Sequence, residues 1–155
     1  MKPTEVDRLE LHFDFSIKGK ARPKFDGRSG RAYMPDSYTA NKEMIIWVLR
    51  QALFSRPDWF SADHLFIQQS VLYRRRRKQR SKSDGLRMEE EMPYGWYAPG
   101  ASNSPDIDNF IGTIMDSGNG ILYRDDSQVV SSLEERRWAD SFGAFYRLIK
   151  IERTP

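Results

Sequence analysis

The 155-residue chain contains no cysteine, which excludes disulfides and thiolate metal ligands and fits a reducing compartment. It has only two histidines, His12 and His64, in or beside strand-like stretches with no partner at ligand spacing. Both are read as structural. No apolar run approaches the length of a membrane span, and the charged opening MKPTEVDRLELHF lacks the form of a signal peptide. A soluble, cytoplasmic protein without membrane contact is therefore expected. Neither a Ser-His-Asp arrangement nor a glycine-rich phosphate loop is visible. Gly27-Arg28-Ser29-Gly30 lacks the Lys-Ser/Thr ending that such a loop needs. What remains is the chemistry of carboxylates and cations.

Hydrophobic residues make up 39% and aromatics 13% of the chain, enough for one domain over residues 1–155 with its own core. The net charge of +3 understates the basicity, because the positive charges are bunched. Together with a pI of about 9.2, that points to an anionic partner, with nucleic acid the first candidate.

Leu9, Leu11, Phe13, Phe15 and Ile17 alternate with polar residues, which predicts a half-buried strand. Residues 18–31 read as a basic loop, and Ala32-Tyr33-Met34 as a short strand. A helix is expected from an N-cap at Asp36 or Ser37 to about Phe54, with Ile45, Val48, Leu49, Ala52 and Leu53 inward. His64 to Tyr73 predicts another strand, with Leu65, Ile67, Val71 and Tyr73 facing the core. Ser81 to Ser104 has irregular composition and reads as a long loop or small protruding excursion. Ile121-Leu122-Tyr123 reads as a short strand. Val129–Trp138 and Ala144–Arg153 read as two antiparallel strands joined by a turn at 140–143. The expected fold is α+β, a mixed sheet with two main helices.

Pro105 to Val130, PDIDNFIGTIMDSGNGILYRDDSQVV, holds five aspartates and no glutamate. Ile107, Phe110, Ile111, Ile114 and Met115 follow i, i+3, i+4, i+7, i+8 spacing, so they define the buried face of a helix ending near Ser117. Gly118 is its expected stop, and Asn119-Gly120 a tight turn. Asp106 and Asp108 stand at the helix start, and Asp125 and Asp126 follow the next apolar run. Phosphodiester hydrolysis needs an activated water and neutralisation of phosphate charge, and a hard divalent cation held by short carboxylates serves both. The structural alternative is a helix cap at Asp106 or Asp108 and a turn at Asp125–Asp126. From the residues alone, both readings stand.

DIDNF, a helix ending in an Asp, Asn-Gly, Tyr and then DDSQVV resembles the RusA family of Holliday junction resolvases over about 25 residues. Gly19-Lys20, Arg22-Pro23-Lys24-Phe25 and Ala32-Tyr33-Met34-Pro35 are similar to the family's N-terminal segments. The resemblance implies a RusA-like homodimer that cuts four-way branched DNA by paired nicks with Mg²⁺, Mn²⁺ being a substitute. It also implies in-line attack by an activated water, leaving 5′-phosphate and 3′-hydroxyl ends. On this resemblance Asp106, Asp108 and Asp126 are the catalytic, metal-binding carboxylates, with Asp125 and Asp116 supporting acids. The family's catalytic lysine falls on Gly112. Asp108, Gly112 and Asp116 lie at i, i+4, i+8 on one helical face, so a cation is missing between two acids. Lys78, Arg80 and Lys82 are the expected substitutes.

Arg74-Arg75-Arg76-Arg77-Lys78-Gln79-Arg80 puts six charges in seven residues directly after an apolar strand. A run of this kind is either a solvated strand end or a phosphate-contacting edge. These residues, with Lys20, Arg22 and Lys24, are expected to position DNA without reading its sequence, so affinity should fall steeply with salt. Tyr94, Trp96 and Tyr97 fit either stacking on unpaired bases, pinning of their segment to the core, or a dimer contact. A junction nuclease is the reading preferred. Its rivals are a catalytically weak or inactive junction-binding protein of the same fold, and a charged surface for another protein.

Overall fold

The structure is a computed structural model that describes residues 3–100 and 106–153. Strand β1 (Glu5–Phe13) leads through a small hairpin, β2 (Lys24–Phe25) and β3 (Ala32–Tyr33), into helix α1 (Asp36–Phe54). Then follow β4 (Leu65–Arg75), α2 (Lys82–Glu91), α3 (Ile107–Gly118), a 3₁₀ turn (Asp126–Gln128), β5 (Val129–Ala139) and β6 (Gly143–Ile151). The main sheet has the order β1-β6-β4-β5. β6 runs antiparallel to both β1 and β4, while β4 and β5 are parallel. A parallel pair needs a long crossover, and here it carries α2, α3 and the 3₁₀ turn. The fold is α+β on a mixed sheet, with three α-helices among the described residues where two were expected.

Helices α1 and α3 pack together, α1 against β1 and α3 against β5. Leu9, Leu11 and Phe13 of β1, Ile45 and Leu49 of α1, and Phe110 and Ile114 of α3 join one core with Phe66, Leu72, Tyr146 and Leu148. The alternation expected in β1 is present, but the strand starts at Glu5 and ends at Phe13; Ile17 is buried from the loop beyond it. Helix α1 buries the face its spacing predicted, although Pro35, not Asp36 or Ser37, occupies the N-cap. Residues 18–31 are not all loop, since Lys24–Phe25 pairs with Ala32–Tyr33.

Other expectations are corrected. In β4 the buried side chains are Phe66, Gln68, Ser70 and Leu72, while Leu65, Ile67, Val71 and Tyr73 lie half-buried on the opposite face. The inward row is polar at its middle because Gln68 is satisfied there. Its Nε2 donates to Ser132 Oγ at 2.6 Å and its Oε1 accepts from Tyr146 Oη at 2.9 Å. β5 and β6 run in opposite directions as predicted, but they are not paired, because β4 lies between them. Ile121–Tyr123 forms a turn with one bridge between Asn119 and Tyr123, not a strand. The 81–104 stretch is not simply a loop. Ser81 caps α2 by accepting from Asp84 N–H at 3.2 Å, and 95–98 lies along β5, with Tyr97 bridging antiparallel to Arg137. Residues 101–104, and Pro105 after them, lie outside the described residues.

Two glycines of α3 meet opposite surroundings. A Cβ on Gly118 would lie 2.9 Å from Tyr123 Oη and 3.0 Å from Leu122 Cδ1, both in buried residues, whereas one on Gly112 meets only Lys20 Cδ at 3.9 Å. Gly118→Ala is expected to lower unfolding free energy by about 1–3 kcal/mol through overpacking. Gly112→Ala should be neutral or raise it by up to about 1 kcal/mol through helix propensity. Urea unfolding midpoints of the two variants check this, and equal effects would contradict it.

Candidate metal and nucleic-acid site

The buried stripe of α3 fixes where its acids stand. Phe110, Ile111 and Ile114 are buried and Ile107 and Met115 half-buried, so Asp106 and Asp108 are left exposed at the helix start. Asp106 occupies the N-cap position, yet its side chain makes no capping hydrogen bond. Among the described residues, the Asp108 carboxylate accepts from the adjacent Asn109 N–H at 3.0 Å. Asp106 thus makes no side-chain cap, while Asp108 stands in the first turn and accepts from one of its N–H groups. Among the described residues the ion pairs involve none of Asp106, Asp108 and Asp126.

Asp125 behaves differently. Its carboxylate accepts from Ser127 N–H at 2.9 Å, and Gln128 completes a capping box around the 3₁₀ turn. Hydrogen bonds from Ser127, side chain first and backbone next, hold the Asp125 carboxyl below its ordinary value. For Asp125 the turn reading is the one seen. Gln128 is buried and fixes the whole turn. Its Nε2 donates to the carbonyls of Ser61 (3.2 Å) and His64 (2.7 Å), and its Oε1 accepts from the N–H groups of Arg124 (2.8 Å) and Asp125 (3.3 Å). Asp126, half-buried, follows directly in this held turn. Its charge acts on two groups at the far end of α3, the Tyr123 phenol and the Lys20 ammonium. Burial first, and the Asp126 charge second, raise the Tyr123 pKa, so that the phenol stays neutral.

Asp116, half-buried on α3, takes an ion pair from Lys20, Nζ to Oδ2 at 3.0 Å. That hydrogen bond raises the Lys20 pKa and keeps the ammonium charged. Lys20 arrives on a segment held from three sides. Asn41 of α1 donates to the Ser16 carbonyl at 2.7 Å and accepts from Lys18 N–H at 2.8 Å. Thr113 Oγ1 donates to the Lys18 carbonyl at 2.8 Å, and Lys20 N–H donates to the Asn109 carbonyl at 3.1 Å. Lys20, not Lys78, Arg80 or Lys82, is therefore the cation beside Gly112.

Among the described residues, no group of three or more carboxylates or histidines is gathered closely enough to cage a metal. The donor chemistry nevertheless suits one. Asp106, Asp108 and Asp126 offer oxygens alone and carry no competing ion pair among the described residues, and a hard divalent cation that keeps several waters needs only one or two carboxylates plus substrate phosphate.

The basic run divides. Arg76, its side chain only 9% exposed, is committed to Glu89 of α2 and Asp140 at 2.8 Å each, and its guanidinium lies over Tyr94. Arg77 pairs with Glu91 at 3.2 Å. Arg74 donates to the Pro99 carbonyl and lies over Trp138, and Arg75 lies over Phe142. Half the run thus fastens α2 and the 92–100 segment to the sheet, while Arg75, Lys78 and Arg80 stay exposed. Tyr97 belongs to this fastening, donating to Glu135 at 3.3 Å beneath the Arg137 guanidinium. Tyr94 and Trp96 remain exposed. Arg22 and Lys24 are exposed on and beside the small hairpin.

A cleft of about 550 Å³ opens between that hairpin, the α1 start and the end of β4. Lys18, Lys24, Arg74 and Arg136 line it over Tyr73 and Phe110, and its lining includes no carboxylate. One of its walls, residues 16–19, leads directly to Lys20, so the cationic cleft adjoins the acidic face. Positive charge is thus gathered in the cleft beside α3, which contributes Phe110 to its lining.

The anchors were not named from sequence. The Gln128 signal was present, since Asp125-Asp126-Ser127-Gln128 has capping-box spacing. Asn41 and Thr113 carried none. Among family models, that of endodeoxyribonuclease RusA matches residues 14–147. Comparison with curated proteins returned no match to the chain.

Gln128→Ala strips partners from buried carbonyl and amide groups. It is expected to cost about 1–3 kcal/mol in stability and to loosen the Asp125–Asp126 turn. Chemical denaturation checks the first effect and amide hydrogen exchange at 124–128 the second; unchanged protection there would contradict the anchoring role.

Proposed function

The chain belongs to the RusA endodeoxyribonuclease family, and from that premise we propose that it is a divalent-metal-dependent, homodimeric nuclease that resolves four-way DNA junctions by paired nicks. The observation that carries this reading is the set Asp106, Asp108 and Asp126, in no ion pair among the described residues, beside a cleft lined with cations. Asp125, by contrast, is held within its own capping box.

In this reading Asp106, Asp108 and Asp126 hold the ion, with Mg²⁺ the first choice and Mn²⁺ a substitute. When bound, such an ion neutralises phosphate charge and favours formation of the attacking nucleophile. The chain's own residues do the rest. The Gln128-held turn keeps Asp126 near α3, and the buried face of α3 keeps Asp108 turned to solvent. Lys18, Lys24 and Arg74 draw the phosphodiester backbone through the cleft, and Arg75, Lys78 and Arg80 extend that path. Contacts of this type position DNA without reading bases. Two copies related by a two-fold axis match a substrate that needs two equivalent nicks.

The alternative is a junction-binding protein that has lost turnover, favoured by the absence of a side chain at Gly112. A labelled four-way junction with Mg²⁺ separates the two. Wild type is expected to give paired nicks, and Asp108→Asn to slow them on the order of 10²–10³-fold while still binding the junction. Tight binding without nicks in either protein would select the alternative, and absence of junction affinity would remove both.

A further inference from the structure

We propose that Lys20 occupies the place left by the missing helical lysine and holds the scissile phosphate during cleavage. The inference rests on the nuclease reading above and concerns one side chain that comes from outside α3.

Three observations carry it. First, Gly112 leaves the middle of the acidic flank bare, and the atom nearest to a Cβ placed there is Lys20 Cδ, at 3.9 Å. The aliphatic stem of Lys20 therefore lies over the gap between Asp108 and Asp116. Second, its ammonium reaches Asp116 Oδ2 at 3.0 Å, and the Asp126 carboxylate also acts on it. Asp116 is the principal acid acting on it. Third, the backbone that delivers Lys20 is held by hydrogen bonds with Asn41 and Thr113 and by donation of its own N–H to the Asn109 carbonyl. Such preorganisation is what a positioned charge requires.

Gly112 and Lys20 thus fit each other. A bulky residue at 112 would push the stem away, and Gly inside a helix is otherwise unfavourable. The ammonium is also free to change partner. The Lys20 side chain is 56% exposed, and exposed ion pairs are weak. An arriving phosphodiester oxygen can compete with Asp116 for this exposed ammonium. In the hydrolysis a water oxygen bonds to phosphorus as the P–O3′ bond breaks. One water proton goes to solvent, and the 3′ oxygen takes one from solvent. Lys20 neither gives nor receives a proton; it stabilises charge on a non-bridging oxygen.

The test uses single-turnover cleavage of a four-way junction at saturating protein, with junction Kd measured separately in Ca²⁺. Lys20→Ala is expected to slow cleavage on the order of 10²-fold, with Kd changed only a few-fold and the thermal melt preserved. Adding Gly112→Lys to that variant should restore about tenfold or more of the rate, since the new ammonium enters from the helix side at the same point. A Lys20→Ala rate equal to wild type would overturn the proposal, as would a loss confined to Kd. A folded double variant with no recovered rate would overturn the shared position. A wild-type chain that cuts nothing would remove the nuclease reading and this inference with it, whereas an active wild type beside an equally active Lys20→Ala removes this inference alone.

Discussion

A buried chain of hydroxyl and amide groups under α3 is the interaction on which the site depends. Tyr123 Oη donates to the Met115 carbonyl at 3.1 Å, Tyr146 Oη donates to Gln68 Oε1 at 2.9 Å, and Gln68 Nε2 reaches Met115 Sδ at 3.3 Å. Gln68 in turn donates to Ser132 Oγ at 2.6 Å. The chain links the last turn of α3, the turn after it, and strands β6, β4 and β5. Tyr123, Tyr146 and Gln68 are fully buried, so each lost bond would leave a polar group without water. Burial also keeps both phenols neutral, because it raises their pKa values. The geometry of the acidic face is inherited from this network and from Gln128, neither of which touches the acids' outer oxygens.

The elements legible in the sequence were those with a strong periodic stripe. α3 was readable because five apolar residues recur on one face, and α1 and β1 for the same reason. β4 was misphased because its inward row is Phe66, Gln68, Ser70 and Leu72, while the outward row is the more apolar one. A rule that sends apolar residues inward fails where a buried glutamine is fully bonded. α2 escaped because KSDGLRMEEE has a glycine and only one buried side chain, Met88; it is held by ion pairs from Arg76 and Arg77 and not by a stripe. The insertion of β4 between β5 and β6 is a long-range choice that no local pattern encodes.

The candidate site was partly legible for a related reason. Clustered aspartates are visible in one dimension, and so is the gap at Gly112. The cation that fills the gap lies 92 residues earlier in the chain, and only the packing of 16–20 against Asn41, Asn109 and Thr113 brings it there. The long arginine run drew attention by its density, yet Arg76 and Arg77 spend their charge on Glu89, Glu91 and Asp140. Charge density in sequence therefore marked a structural fastening as well as the exposed cations Arg75, Lys78 and Arg80. The approach to the acids is made instead by fewer, scattered cations around the cleft.

The central claim is that carboxylates from two elements, the start of α3 and the turn fixed by Gln128, serve one divalent ion. Mn²⁺ titration followed by electron paramagnetic resonance tests it on the protein alone, comparing wild type with Asp108→Asn and Asp126→Asn. The expected result is one ion whose binding is weakened about tenfold or more by either substitution, the two effects overlapping when combined. Binding untouched by Asp126→Asn, or two independent losses that simply add, would contradict a shared site.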